Sequence, residues 1–357
     1  MNKKLIASIS AIAVVATLFA GCAKKDDSTT KTTKEIKVGL STDEGGLNDK
    51  SFNQSADAGI KKAVNDLKVG YKAVESKTKD DYESNLDALV ADGSDLVFGI
   101  GFQMETALGN VADKYSDKKF AIVDTVVNKP NVVSYTFKEQ EGSFLMGVIA
   151  GKTTKTNKVG FIGGKDEALI NKFEAGFVAG VESVNPTAAA DLLNRKNVAY
   201  VNSFADAALG KQAAQNLINS GCDVIYHAAG GVGVGMFQAI QEANKAGNKV
   251  WGIGVDMDQA QTLPQYADII LSSMIKRVDT ATYEATKSVV DDKFQGGKNV
   301  VLGIKEGAIG IAETSSKNTP KDVLDLVQKY QDAIKDGKIT APSTIDELKA
   351  FKPVDVK

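Results

Sequence analysis

The chain has 357 residues, 43% hydrophobic and 25% charged, and its 43 Lys and Arg against 45 Asp and Glu leave a formal net charge of −2. That balance excludes a nucleic-acid binder, which needs an evident basic face, while the length and apolar content suffice for two domains of ordinary size. Cys22 and Cys222 are the only cysteines, so no disulfide framework is expected, and Cys222 is read as a small buried hydrophobe.

The first predicted element is a leader. Asn2-Lys3-Lys4 precedes an apolar run from Leu5 to Phe19 that is too short to cross a membrane as a helix, and the run ends at Ala20-Gly21-Cys22. Basic, apolar and small residues in that order describe a signal peptide over residues 1–21. The step into Cys22 resembles a bacterial lipobox, with Phe19 where leucine is usual. Diacylglycerol is therefore expected on the Cys22 sulfur, with cleavage just before it. Residues 22–35 follow as a tether, since Lys24 to Glu35 carry only charge, Ser and Thr and have nothing to bury. Acyl chains on Cys22 would hold the protein to the outer face of a cell membrane, each buried methylene contributing about 0.8 kcal/mol.

Short apolar strands then alternate with helical patterns: Lys37 to Leu40, Leu96 to Ile100, Phe120 to Val123, Val159 to Ile162, Val198 to Val201, Val224 to Tyr226, Val250 to Val255 and Ile269 to Ser272. This alternation predicts α/β architecture, parallel sheets covered by helices on both faces. The chain also repeats itself. LVADGSDLVF (Leu89 to Phe98) matches LINSGCDVIY (Leu217 to Tyr226) in residue type, and each is followed by a helix and a strand ending in aspartate, Asp124 and Asp256. KVGL (Lys37 to Leu40) and KVGF (Lys158 to Phe161) open the two halves. Two similar Rossmann-like domains are expected, with a ligand cleft outside the carboxyl ends of their strands.

The candidate site residues fall at those ends. DEGGLNDKSFNQ (Asp43 to Gln54) sits on the turn between the first strand and the first helix, and it sets carboxylates beside the lone aromatic Phe52. A ring at the mouth of a cleft can stack on a flat heterocycle, worth about 1–3 kcal/mol. Asp43 and Asn53 suit the edge of such a ring, a carboxylate accepting and an amide both donating and accepting. Asp49 is read as the cap of the helix beginning near Ser51, and capping competes as an explanation for Asp43, Asp124 and Asp256 too.

Other chemistries find little support. The run Gly230 to Gly235 lacks the G-x-G-x-x-G spacing of a dinucleotide site, and no Walker-type phosphate loop is present. The sole histidine, His227, has no activated Ser or Cys in a recognisable setting, and no His or Cys cluster has metal-ligand spacing. Neither enzyme activity nor a cofactor or metal is expected.

Five motifs carry a more specific likeness: DEGGLNDKSFNQSADAG, KEQEGSFLMGVIAG (Lys138 to Gly151), DVIYHAAGGVGVG (Asp223 to Gly235), GIGVDMDQ (Gly252 to Gln259) and SSMIKRVDTA (Ser272 to Ala281). In this order they resemble the basic-membrane-protein family of bacterial lipoproteins, over essentially the whole mature chain. The resemblance implies a type I periplasmic-binding fold and a solute-binding component that delivers purine nucleosides to the permease of an ABC importer. It implies that Phe52 stacks on the base and that an aromatic of the DVIY region, Tyr226 or His227, covers its other face. It places Asp43 and Asp124 at the base, and Asp256 and Lys276 at the ribose near the Gly231 amide. One lobe would span 36–137 plus about 277–305, the other 138–276 plus about 306–357, in a monomer. A free-sugar receptor and a nucleoside hydrolase are the competing readings.

Overall fold

The structure, a computed structural model, describes residues 35–356; the leader, Cys22 and all but the last residue of the tether lie outside the described residues. Twelve strands run in chain order as β1 (Lys37–Ser41), β2 (Gly70–Val74), β3 (Leu96–Ile100), β4 (Lys119–Val123), β5 (Val132–Phe137), β6 (Val159–Gly163), β7 (Val198–Tyr200), β8 (Val224–Ala228), β9 (Trp251–Asp256), β10 (Ile270–Lys276), β11 (Asn299–Leu302) and β12 (Ile309–Ile311). They form two six-stranded sheets, ordered β11-β5-β4-β3-β1-β2 and β12-β10-β9-β8-β6-β7. Each strand of one sheet has its counterpart at the same place in the other, so the repeat read in the sequence is a repeat of topology. Every pairing is parallel except that of β12 with β10.

The apolar pattern explains which strands were visible. β3 and β8 are buried along their whole length, as strands covered on both faces must be, and they read as apolar runs, interrupted in β8 only by His227. The edge strand β2 is half exposed and β11 and β12 are four and three residues long, so neither length nor hydrophobicity marks them. β5, Val132–Phe137, is buried but carries Ser134 and Thr136 within its run.

Helices cover both faces, and glycines decide how closely some pack. In the helix Phe52–Leu67 a Cβ on Gly59 would stand 2.0 Å from the Asp279 carbonyl oxygen, so only glycine admits the crossing helix Val278–Val290. The helices Glu139–Thr153 and Ala168–Val184 meet in the same way, with a Gly147 Cβ falling 2.1 Å from the Phe177 oxygen.

The chain passes between the sheets three times, from β5 into Glu139–Thr153, from β10 into Val278–Val290, and from β11 into β12. These crossings are tied together. Arg277 N–H donates to the Ala308 oxygen at 2.8 Å, and Ile304 N–H to Glu141 Oε2 at 2.8 Å.

Candidate functional site

Residues at the strand ends of both sheets line one cavity. Asp43 follows β1, Gly101 and Phe102 follow β3, and Asp124 follows β4; from the other sheet come Ala228, Ala229 and Gly230 at the end of β8, Val255 and Asp256 at the end of β9, and Lys276 at the end of β10. This is where a parallel sheet binds ligands, because the turns beyond its carboxyl edge are free of ladder pairing. The cavity spans about 490 Å³, part of it open to solvent.

Its apolar walls are aromatic. The helix Phe52–Leu67 and the turn after β3 contribute Phe52 and Phe102; the second lobe contributes Phe173 from Ala168–Val184 and Phe204 from the loop after β7, with Leu169 and Ile170 beside them. Phe102 and Phe204 meet edge to face across the lobes at 6.2 Å.

The first-lobe polar wall is built on the opening turn of the helix Phe52–Leu67. Asp49 accepts from the backbone N–H of Ser51, Asn53 and Gln54 at 3.0, 2.8 and 3.0 Å, which satisfies donors that the first helical turn otherwise leaves orphaned. That agrees with its reading as the cap, and Asp49 lines the cavity as well. Asn53 turns inward, and its amide nitrogen donates to Asp43 Oδ1 at 2.7 Å and to Asp49 Oδ2 at 3.2 Å. Burial pushes the Asp43 carboxyl up to about 6, against hydrogen bonds from Asn53 and the Gly45 N–H. Burial likewise pushes Asp49 up to about 7.

The charged centre is Lys276. It is 1% exposed, with its ammonium 2.6 Å from Asp124 Oδ2 and 3.1 Å from Glu139 Oε1. The ring centroids of Phe52, Phe137 and Phe173 lie 5.1, 5.0 and 5.6 Å from the same nitrogen. Burial pulls a lysine down, yet Asp124, Glu139 and Asp256 outweigh it, and Lys276 is held above its usual range. It therefore stays charged at any physiological pH. Asp124 and Asp256 are raised, chiefly by burial and against the attraction of Lys276. The Ser51 hydroxyl donates to Asp256 across the lobes.

Of the residues singled out in the sequence, the structure brings Asp43, Phe52, Asn53, Asp124, Asp256 and Lys276 to the cavity. Tyr226 and His227 are not among the described residues lining it, against the expectation that one of them covers a face of the base. Both lie within β8, whose side chains stand on the sheet faces rather than at its end. Tyr226 packs between the rings of Phe161 and Phe177 and pairs its hydroxyl with Ser143 at 3.1 Å. His227, on the opposite face, meets Gln259 Oε1 at 2.8 Å, and burial pulls it down to about 4. Gly231 opens the helix Val232–Lys245, and the cavity wall is its neighbour Gly230. Reading from motifs also missed Glu139 and the aromatics Phe102, Phe173 and Phe204. A lone phenylalanine in the polar stretch Val201-Asn202-Ser203-Phe204-Ala205-Asp206, just past a strand, was the available signal for Phe204.

Two lobes that meet over a cavity lined with aromatic rings and buried charge define a small-molecule receptor of the periplasmic-binding class. The family model for the PnrA-like ABC transporter substrate-binding proteins (Bmp) matches residues 36–344, and the chain belongs to this family. It is a family of substrate-binding proteins rather than enzymes, so an ABC permease is implied as partner. The CD4+ T-cell-stimulating antigen of Listeria innocua serovar 6a is 41% identical over 363 residues, 96% of this chain and 99% of its own length. The ABC transporter nucleoside-binding protein BmpA of Lactococcus lactis subsp. cremoris is 39% identical over 359 residues, again 96% and 99%. Among solved structures, an ABC transporter system solute-binding protein from Aeropyrum pernix K1 superposes with a TM-score of 0.78 at 31% identity, covering 88% of this chain and 98% of its own.

Proposed function

We propose that this protein captures purine nucleosides in the cleft between its lobes and delivers them to an ABC importer, held at the membrane by acylation of Cys22. One observation carries the ligand class: one cavity brings phenylalanines of both lobes together with buried carboxylates and the buried Lys276 ammonium. Flat walls suit a heterocycle, Asp43 and Asn53 suit its hydrogen-bonding edge, and Asp124, Asp256 and Lys276 suit the hydroxyls of a sugar. Phe204 and Phe173 take the covering role first sought in Tyr226 or His227. The Lactococcus relative is named as a nucleoside-binding protein, which supports the same ligand class.

Calorimetric titration tests this. Adenosine, guanosine or inosine should bind, whereas free ribose, with no face for Phe52 to cover, should not. Nucleoside 5′-monophosphates should bind far more weakly, because a phosphate would lose its hydration beside Asp124, Glu139 and Asp256 with Lys276 already engaged. Binding of ribose without nucleosides would replace this function with a sugar receptor, and best binding by monophosphates would overturn the carboxylate assignment. For the anchor, intact-mass analysis of the membrane fraction should show a diacylglycerol-modified chain starting at Cys22; an unmodified N-terminus elsewhere would remove it.

A further inference from the structure

His227 is wholly buried in β8 and stands away from the cavity, yet its partners lead to the other lobe. The Val255 N–H can only donate, and it meets the Gln259 side chain at 3.1 Å, which fixes the facing atom as Oε1. His227 Nε2 stands 2.8 Å from the same oxygen and must therefore carry the ring hydrogen. Its Nδ1 is left buried and without a partner among the described residues. With Oε1 held twice, and the Gln259 N–H on the Ser273 hydroxyl at 3.1 Å, the amide nitrogen has a fixed direction. It donates to the Lys50 carbonyl oxygen of the first lobe at 3.2 Å, and the Thr262 hydroxyl donates to that oxygen at 3.2 Å as well.

Two glycines make room for the pair. A Cβ on Gly233 would stand 2.0 Å from His227 Cε1, and one on Gly254 would stand 2.5 Å from Gln259 Oε1. Gly233 belongs to the run Gly230 to Gly235, which no dinucleotide or phosphate site explains. On the receiving side, Lys50 has φ of 60°, a left-handed conformation costly for a lysine. The Ser51 hydroxyl donates to Asp256, so two successive residues of the first lobe are held by the turn after β9.

We propose that these residues form a clasp that closes the cleft: Gln259 and Thr262 grip the Lys50 carbonyl, and His227 is a positioning residue that aims the Gln259 amide. Lys50 lies two residues before Phe52 and Gln259 three after Asp256, and both Phe52 and Asp256 line the cavity, so the clasp sets the separation of its two walls. Ligand leaves only after the walls part, and parting them strands a buried amide and a carbonyl until water reaches both. The clasp therefore acts on residence time. The inference rests on the nucleoside reading for its probe alone.

Stopped-flow release of guanosine, inosine or adenosine, whichever binds the wild-type protein, tests it. Thr262→Val removes one donor and should speed release about fivefold, with a smaller effect on association. Gln259→Glu keeps an acceptor for Val255 and His227 but sets an oxygen against the Lys50 oxygen, and should speed release at least about tenfold. Release unchanged in both would overturn the clasp; should the glutamate variant not fold, Thr262→Val decides. His227→Phe keeps a ring in place without the hydrogen bond and should speed release about threefold, and His227→Gln, whose amide can take the place of Nε2, should restore it. In the Gln259→Glu background His227→Phe should add nothing. A lower melting temperature with release unchanged would make His227 merely structural and overturn its positioning role. Binding by none of the three nucleosides would overturn the proposed ligand alone. Small-angle scattering of the ligand-free chain then decides: the Thr262→Val, Gln259→Glu double variant should have a larger radius than the wild type, and an equal radius would overturn the clasp.

Discussion

Asp124 and Asp256 end equivalent strands, and both hold left-handed backbone, with φ of 74° and 65°. Such a conformation costs about 1 kcal/mol or more outside glycine, and short acids are among the side chains that tolerate it. At both strand ends the kink carries a carboxylate into the cavity, a functional arrangement that no count of apolar residues reveals. Placement of the acids was legible because they follow recognisable strands. The aromatic partners were not, because Phe173 reads as one more apolar residue of a buried helix, and Tyr226 carries the same outward marks as a stacking residue. Two substitutions separate these cases. Phe204→Ala should weaken nucleoside binding by about 1–3 kcal/mol, the value of one stacked face, and should also lower the melting temperature, because the ring is only 9% exposed and packs in the core. Tyr226→Phe removes a hydroxyl bonded to Ser143 in the core and should cost about 1 kcal/mol of stability while leaving affinity unchanged. The reverse pattern in titration would return Tyr226 to the site.

The loops after β1 and β6 form a bridge at the mouth of the cleft. Lys165 reaches from the second lobe to Glu44 Oε1 at 2.9 Å, the same oxygen accepts from the Phe204 N–H at 3.2 Å, and the lysine lies 5.6 Å from the Phe204 ring. These contacts join the two lobes. Both side chains are mostly buried, at 11% and 22% exposed, so the pair should exceed the near-zero worth of a fully solvated one. Lys165→Ala should speed nucleoside release about fivefold, equivalent to about 1 kcal/mol, with a smaller effect on association. Stopped-flow release rates unchanged in both Lys165→Ala and Glu44→Gln would remove the latch. Eight apolar strands and the internal repeat implied two matching parallel sheets, and the observed orders agree. The four strands not visible are a half-exposed edge, a buried run interrupted by hydroxyls, and two short segments near the crossings, whose pairing depends on partners distant in sequence.

Over the whole molecule, the charges proposed to bind are also charges whose burial opposes folding. Lys276 and Glu139 stand where the chain crosses between lobes, 3.1 Å apart, so on the proposed function a ligand held by Lys276 would act directly on these crossings. Closure around it should reduce the radius measured by small-angle scattering, and a profile unchanged at saturating nucleoside would count against a moving cleft. The pH dependence of stability follows from the same residues. Asp43 and Asp49 titrate at about 6 and about 7 in the folded protein, above the value of about 3.9 for an unfolded aspartate. The folded state thus holds more protons between those limits, and stability is lost as the pH rises through the folded values. His227 has the opposite sign. Its folded value of about 4 lies below the unfolded value near 6.5, so its contribution grows up to that point and is constant above it. From about pH 6.5 to about pH 8 only the aspartates still act, and the ligand-free melting temperature should fall. A nucleoside donating to Asp43 stabilises its ionised form, so the ligand-induced rise in melting temperature should be larger at the upper end of that range. Thermal melts at both ends, with and without guanosine, check each sign; a ligand-free protein that gains stability across this range would mean that the cleft carboxylates are already ionised well below pH 6.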